Sequence, residues 1–232
     1  MRSKFVKGMA DGMPIALGYL SVSFGFGILA VKAGLSVLAA VGISLTNLTS
    51  AGQAAGIGII AAGGTLIEMI LTQLVINLRY SLMAVSLTQK LDGSFHTPQR
   101  MLVAFGITDE IYAVAMAQKE PLTPRYMQGL IFTPLIGWTT GTFLGGMAAG
   151  QLLPPVLSDA LGLMLYGMFI AIIIPPCKKS HPLIAVILIA AGFSVLFTYA
   201  TPFISGGFAV ILSALITCIL AAFFFPIKEE KA

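Results

Sequence analysis

The polar residues able to do chemistry in this sequence are few, and they fall inside its most apolar stretches. The run from Leu66 to Met83 carries Glu68, Thr72, Gln73, Asn77, Arg79 and Tyr80 among leucines and isoleucines. A second group, Thr108-Asp109-Glu110, interrupts the apolar segment Met101 to Gln118. A third, Thr46-Asn47-Leu48-Thr49-Ser50-Ala51-Gly52-Gln53, interrupts Leu35 to Gly64. An ionised side chain at a bilayer centre costs on the order of 3 kcal/mol on insertion scales, so such residues face a protein interior or an aqueous path and mark functional sites.

On a helix, Glu68, Thr72 and Arg79 share one face, and Gln73, Asn77 and Tyr80 share another roughly opposite. A helix polar on two faces is expected to be central in a bundle or to line a cavity. Glu68 and Arg79 are about 16 Å apart along the axis and cannot pair. Arg79 therefore needs an acid from another segment, and Asp109 or Glu110, beside Thr108, is the candidate. Such a pair reads as a gate or proton-linked switch, or else as a static ion pair fixing two helices. Glu68 itself reads as lying near the outer interface.

The break at residues 46–53 implies different chemistry. A helix interrupted within a membrane presents unpaired backbone N–H groups at its second half, and with the helix dipole these hold a carboxylate. Ser50 and Gly52 lie at the break, while Asn47, Gln53 and Asn77 supply side-chain hydrogen bonds. Ala54, Ala55, Gly56 and Gly58 beyond it allow close approach of a substrate or another backbone. The competing reading is a packing kink.

The composition defines the setting. Of 232 residues, 57% are hydrophobic and 9% charged, with a mean hydropathy of +0.96; soluble domains carry about a quarter charged residues. The fold class is all-α, a polytopic transmembrane helical bundle in a lipid bilayer with broken or re-entrant helices and about 6–8 membrane segments. It forms a single membrane-embedded domain over residues 1–232, with little room for a domain outside the membrane.

The net charge of +4 is spread over short loops, which carries topology information and excludes a nucleic-acid surface. Cys177 and Cys218 have neither metal nor disulfide spacing, and His96 and His181 have no ligand partners. No metal and no cofactor is expected.

Along the chain, Pro14 to Val31 reads as helix 1, retained rather than cleaved, with Pro14 in its first turn and basic residues before it. Two pieces of about 15 residues follow in 35–64, each short of the ~20 a full span needs. The central helix Thr65 to Thr88 leads to a loop with Lys90 and Arg100. Segment 101–118 reads as re-entering on the side it left, which keeps Lys119, Arg125, Lys178 and Lys179 on one side. Helices at Tyr126 to Gly150, Val156 to Ile174, Pro182 to Ala200 and Phe203 to Phe225 complete the chain. Their outer links at Leu153-Pro154-Pro155 and Ala200-Thr201-Pro202 lack Lys and Arg, and a tail bears Lys228 and Lys231.

Positive-inside counting places both termini in the cytoplasm. The helix with Gly18, Gly25 and Gly27 and that with Gly137, Gly141, Gly145, Gly146 and Gly150 take similar positions in two halves, 1–118 and 126–226. That is a relic of duplication, or simply small-residue packing. The lone Trp138 reads as an interfacial anchor in preference to a cavity wall.

These residues carry a resemblance. Gly12-Met13-Pro14, Gly18-Tyr19, Phe24-Gly25 and Gly27, then Gln53 after a polar break, then Asn77-Leu78-Arg79-Tyr80-Ser81-Leu82-Met83, Thr108-Asp109-Glu110 and Trp138-Thr139-Thr140-Gly141-Thr142 are similar to the AzlC family. The resemblance covers most of the chain in order. It implies the large subunit of a bacterial branched-chain amino-acid exporter in the cytoplasmic (inner) membrane, working with a small AzlD-type membrane subunit on leucine, isoleucine, valine and similar hydrophobic amino acids. Ser50 and Ala54 depart from the family's usual glycine and aromatic, and Glu68 lies outside the matched motifs.

The expected function is therefore export by alternating access. The substrate site would comprise Asn47, Ser50, Gly52, Gln53 and Asn77, and the coupling or gating site Arg79, Thr108, Asp109 and Glu110. The alternatives are an accessory membrane subunit whose partner forms the path and, less favoured, an intramembrane enzyme. The enzyme reading lacks a nucleophile with its base and a metal cluster, so no enzymatic activity is expected.

Overall fold

The computed structural model describes residues 3–151, 154–178, 180–201 and 203–225, and all of its regular elements are helices. In chain order they are α1 (Lys4–Lys32), α2 (Val37–Thr46), α3 (Ser50–Ala61), α4 (Leu66–Thr88), α5 (Thr97–Gly106), α6 (Asp109–Ala117), α7 (Pro124–Gln151), α8 (Pro155–Gly162), α9 (Met164–Cys177), α10 (His181–Ala200) and α11 (Gly206–Phe224). α1, α4, α10 and α11 are each long and apolar enough to cross a membrane. Counting the interrupted pairs α2–α3, α5–α6 and α8–α9 once each, the described residues form eight membrane segments. Leu153, Lys179, Pro202, Lys228 and Lys231, on which part of the topology reading rests, lie outside the described residues.

Glycine decides the centre of the bundle. α1 and α7 run parallel, backbone on backbone: a Cβ on Gly8 would fall on the Tyr126 carbonyl oxygen, and one on Gly129 on the Phe5 carbonyl oxygen. Further along the same seam, Gly137 abuts Ala16, Gly141 abuts Leu20, Gly145 abuts Phe24, and Gly27 abuts Thr142. In lipid, dispersion contact between closely approaching helices replaces the hydrophobic drive of water, and only residues without side chains permit this separation.

The seam also explains where α1 begins. Pro14 was expected in the first turn, yet α1 starts ten residues earlier, with the Ser3 hydroxyl accepting from the Val6 N–H. The contacts of Gly8 and Gly12 with α7 hold the stretch before Pro14 helical, despite the N–H that proline lacks.

Of the two positions expected for α4, central in the bundle or lining a cavity, the second is observed. Leu66, Ile67, Ile70, Leu74, Leu78 and Leu82 form a third, exposed face, so α4 stands at the rim with an apolar stripe outward and its polar faces inward. Leu163 splits the expected Val156 to Ile174 helix after Gly162, which packs against Leu29.

The interruption expected within 101–118 falls at Ile107–Thr108. The two flanks of the α5–α6 pair meet at one end of the molecule. There Asp92 N–H donates to the Leu122 carbonyl (2.9 Å), Leu122 N–H donates to that of Lys90 (2.9 Å), and Lys4 pairs with Glu120 (3.6 Å). The segment thus returns to the end it left, as its re-entrant reading requires.

Candidate functional site

Two helix breaks build the site, and both use the same local chemistry. At the first, the Thr49 hydroxyl accepts from Gly52 N–H (3.0 Å) and caps α3; at the second, the Thr108 hydroxyl accepts from Ile111 N–H (3.3 Å) and caps α6. A β-region threonine before a helix satisfies one of the orphan N–H groups of the first turn. Ser50 and Ala51 N–H have no acceptor among the described residues, and the first turn of α3 holds no acid. The first turn of α6 carries Asp109 and Glu110. One half-helix therefore presents bare positive dipole and the other presents carboxylates.

Arg79 and Asp109 form an ion pair, Nη2 to Oδ2 at 2.9 Å, joining α4 to α6. The guanidinium also lies 4.9 Å from the Tyr80 ring centroid and donates to the Tyr80 hydroxyl at 3.2 Å. The Arg79 and Asp109 side chains remain 44% and 30% accessible, so the pair is open to a cavity rather than sealed. Glu110 takes a different partner: its Oε2 lies 2.5 Å from the Tyr19 hydroxyl, which is also 2.6 Å from the Thr108 Oγ1. Tyrosine has one proton, and the carboxylate is the stronger acceptor.

A cavity of about 320 Å³ lies between the breaks. Its polar lining is Tyr19, Arg79, Tyr80, Thr108, Asp109, Glu110 and Ser50, and its apolar lining is Leu48, Ala51, Ile76, Trp138, Phe169 and Ile173. Trp138, expected at the interface, is 2% exposed and sits edge-on to Tyr19, ring centroids 5.2 Å apart. It is a wall of the cavity, because α7 turns this face inward while Phe132, Ile136, Phe143 and Met147 stand exposed on another.

Of the residues expected to bind substrate, only Ser50 reaches this cavity. Gln53 is fully engaged: its Nε2 donates to the Asn47 carbonyl (2.5 Å) and its Oε1 accepts from Trp138 Nε1 (3.1 Å). Gln73 donates to the Gly52 carbonyl (2.7 Å), Asn77 donates to Gln73 Oε1 (3.0 Å), and the Thr49 hydroxyl donates to Asn77 Oδ1 (2.9 Å). Asn47, Gly52 and Gln53 border a separate apolar groove of about 270 Å³ behind the break. These side chains hold the break open, and the site they support lies on the far side of it.

Gln53→Leu should therefore leave the Trp138 N–H and the Asn47 carbonyl without partners, at about 1–3 kcal/mol for each stranded buried group. A lowered thermal midpoint in detergent, with altered Trp138 emission, is the expected result.

Sequence reasoning missed Tyr19 as a partner of Glu110, although Tyr19 stands in the Gly18-Tyr19 motif. It also gave no partner for Glu68, which it reads as lying near the outer interface. Glu68 is in the first turn of α4, but its carboxylate is 3% exposed and accepts from Ser205 Oγ (2.6 Å) and Gly207 N–H (2.7 Å) at the start of α11. No pattern within α4 points to that contact.

Comparison with known proteins follows the same residues. The family model described as AzlC protein matches residues 14–152, which contain both breaks, Arg79 and Trp138. The inner membrane protein YgaZ of Escherichia coli (strain K12) is 30% identical over 185 residues, covering 77% of this chain and 76% of the relative. An uncharacterized membrane protein of Archaeoglobus fulgidus is 32% identical over 178 residues, covering 76% and 78%. One of Helicobacter pylori is 27% identical over 156 residues, covering 64% and 67%. No solved structure matches the chain.

Proposed function

The chain belongs to the AzlC family of membrane proteins, and on that premise we propose that it exports branched-chain and similar hydrophobic amino acids by alternating access, as a transporter and not an enzyme. The observation carrying this reading is the cavity between the two breaks, whose lining combines the start of α3, the carboxylates of α6 and aliphatic and aromatic side chains. Its volume lies at the small end of the ~300–1,000 Å³ usual for small-molecule pockets. In this reading the substrate carboxylate meets the Ser50 and Ala51 N–H groups at the α3 dipole. The ammonium meets Glu110, because Asp109 is already neutralised by Arg79. The branched tail lies against Ile76, Phe169 and Ile173.

Closing and opening are assigned to α6. Its far end is tied to α1 and α7 through Gln118, which accepts from Lys7 Nζ (3.1 Å) and donates to Asp11 (3.4 Å), and Asp11 also accepts from the Tyr126 hydroxyl (2.9 Å). Its near end carries Asp109 and Glu110. Release of both ends would open the cavity toward the Lys4 end of the bundle, which basic residues assign to the cytoplasm. The parallel α1–α7 seam supports two halves, 1–118 and 126–226, within one membrane-embedded unit.

A small AzlD-type subunit is the expected partner, and an accessory role for this chain is the second reading. Reconstitution of the chain alone and with such a partner, followed by leucine, isoleucine and valine flux from liposomes, separates the two. Flux that requires Arg79 and Asp109 of this chain supports the transporter reading, and flux by the small subunit alone supports the accessory one.

A further inference from the structure

We propose that Glu68, remote from the cavity, is a proton-binding site that couples the transport cycle to a proton gradient; this rests on the export reading above. The geometry of its two oxygens carries the inference. Oε1 takes both available donors, Ser205 Oγ and Gly207 N–H, while Oε2 accepts no hydrogen bond among the described residues. A Cβ on Gly64 would lie 2.8 Å from Oε2 and 3.1 Å from the Ile59 carbonyl oxygen, so the free oxygen faces the C-terminal turn of α3. The N–H groups of this turn are already spent on α3 carbonyls, Ala62 on Gly58, Gly63 on Ile60 and Gly64 on Ile59, so none of them is free to donate to Oε2. The carboxylate thus stands at the starts of α4 and α11, with Oε1 supplied with donors and Oε2 without one among the described residues.

An independent observation points to a ligand at the same place. Thr72, one turn along α4, is wholly buried, its hydroxyl has no partner, and it converges with Glu68 Oε1 on Gly207, 2.8 Å from where a Cβ would stand. On α11, the Ser213 and Thr217 hydroxyls are likewise buried without partners. Stranded hydroxyls in an apolar interior are costly, and Ser213 and Thr217, eight and twelve residues after Ser205, lie on the same face of α11.

The charged surroundings define the ligand. α3 carries no Asp, Glu, Lys, Arg or His, and Cys218 is the one titratable residue of α11. α6 brings Asp109 and Tyr112 to Arg79 and Ser86 of α4, about 16 Å and 27 Å along the axis from Glu68. Among the described residues, no side-chain cation pairs with Glu68. With the donors of Ser205 and Gly207 filling Oε1, a single free oxygen remains, which suits one proton and not the coordination shell of a metal cation. Protonation at Oε2 removes the charge that holds the N-terminus of α11, giving the site a mechanical output.

The test uses proteoliposomes that compare amino-acid exchange at equal pH with net flux driven by a pH gradient, for wild type, Glu68→Gln and Glu68→Asp. The expected result is that Glu68→Gln keeps exchange and loses the gradient-driven component, while Glu68→Asp retains coupling with a shifted pH midpoint. Unchanged pH-driven flux in Glu68→Gln, or driving by a sodium gradient in place of protons, would overturn the proposal. Infrared difference spectra across the carboxyl titration, wild type minus Glu68→Asp, read proton binding without substrate. A carboxyl band that moves between these two proteins supports the site even where wild type moves no amino acid and the export reading fails; its absence refutes the site whatever the flux.

Discussion

Gly145→Val is expected to prevent stable assembly of the bundle. A Cβ at Gly145 would land on the backbone of Phe24, in the middle of the α1–α7 seam, where no rotamer change can relieve the clash. Overpacking a core costs about 1–3 kcal/mol when side chains can yield, and more when they cannot. Set against a total stability of about 5–15 kcal/mol, the loss should appear as a collapsed thermal midpoint and aggregation on size-exclusion chromatography in detergent. Gly129→Val, against Phe5, should behave the same way. Gly18→Ala is the control: nothing lies within 4 Å of its Cβ position, and alanine improves helix propensity by about 1 kcal/mol. A midpoint equal to or above wild type is expected there.

The second large effect falls on transport and exceeds the accompanying loss of stability. Arg79→Ala should abolish export at normal protein levels, because it leaves Asp109 and Glu110 side by side at the start of α6 with no opposing cation. Asp109→Asn should also abolish it, by freeing the guanidinium to pair with Glu110 and occupy the place reserved for the substrate ammonium. The double variant Arg79→Ala/Asp109→Asn removes both charges and should fold better than either single variant without restoring export. A static ion pair predicts the opposite pattern, with function recovering alongside stability. Resistance of expressing cells to leucine- or isoleucine-containing peptides, scored with membrane protein levels, distinguishes the two.

The parts of this fold legible in the sequence are those where polarity interrupts apolarity. The breaks at 47–49 and 107–108 and the Arg79–Asp109 contact were all foreseeable, because a charge or a cap residue inside a membrane segment needs a local partner and few partners exist. The central seam was harder to read. Glycines at positions 8, 12, 129, 137, 141 and 145 leave little trace in hydropathy, and their meaning depends on which helix lies opposite. α4 drew attention by its polar residues, but its leucine face turned it outward. A lone Trp138 reads by frequency as interfacial, whereas it lies on the inward face of α7. Gln53 is legible as a polar residue at the break, yet its amide holds the break and does not reach the cavity. The capping of α11 by Glu68 joins residues far apart in sequence and had no local signature.

Trp138 gives the most direct measurement, since it is the only tryptophan in the chain and lines the proposed site. Its intrinsic fluorescence in purified protein, titrated with leucine, isoleucine and valine, should change saturably. The decarboxylated and the deaminated analogues of leucine should give a much weaker response, because each lacks one of the two charges the cavity is built to receive. Glu110→Gln should shift the leucine response to higher concentration while leaving the unliganded emission similar. A flat titration by a protein that still moves leucine across liposomes, or an equal response to both analogues, would contradict the central claim that the cavity between the two helix breaks recognises a zwitterionic amino acid with an apolar tail.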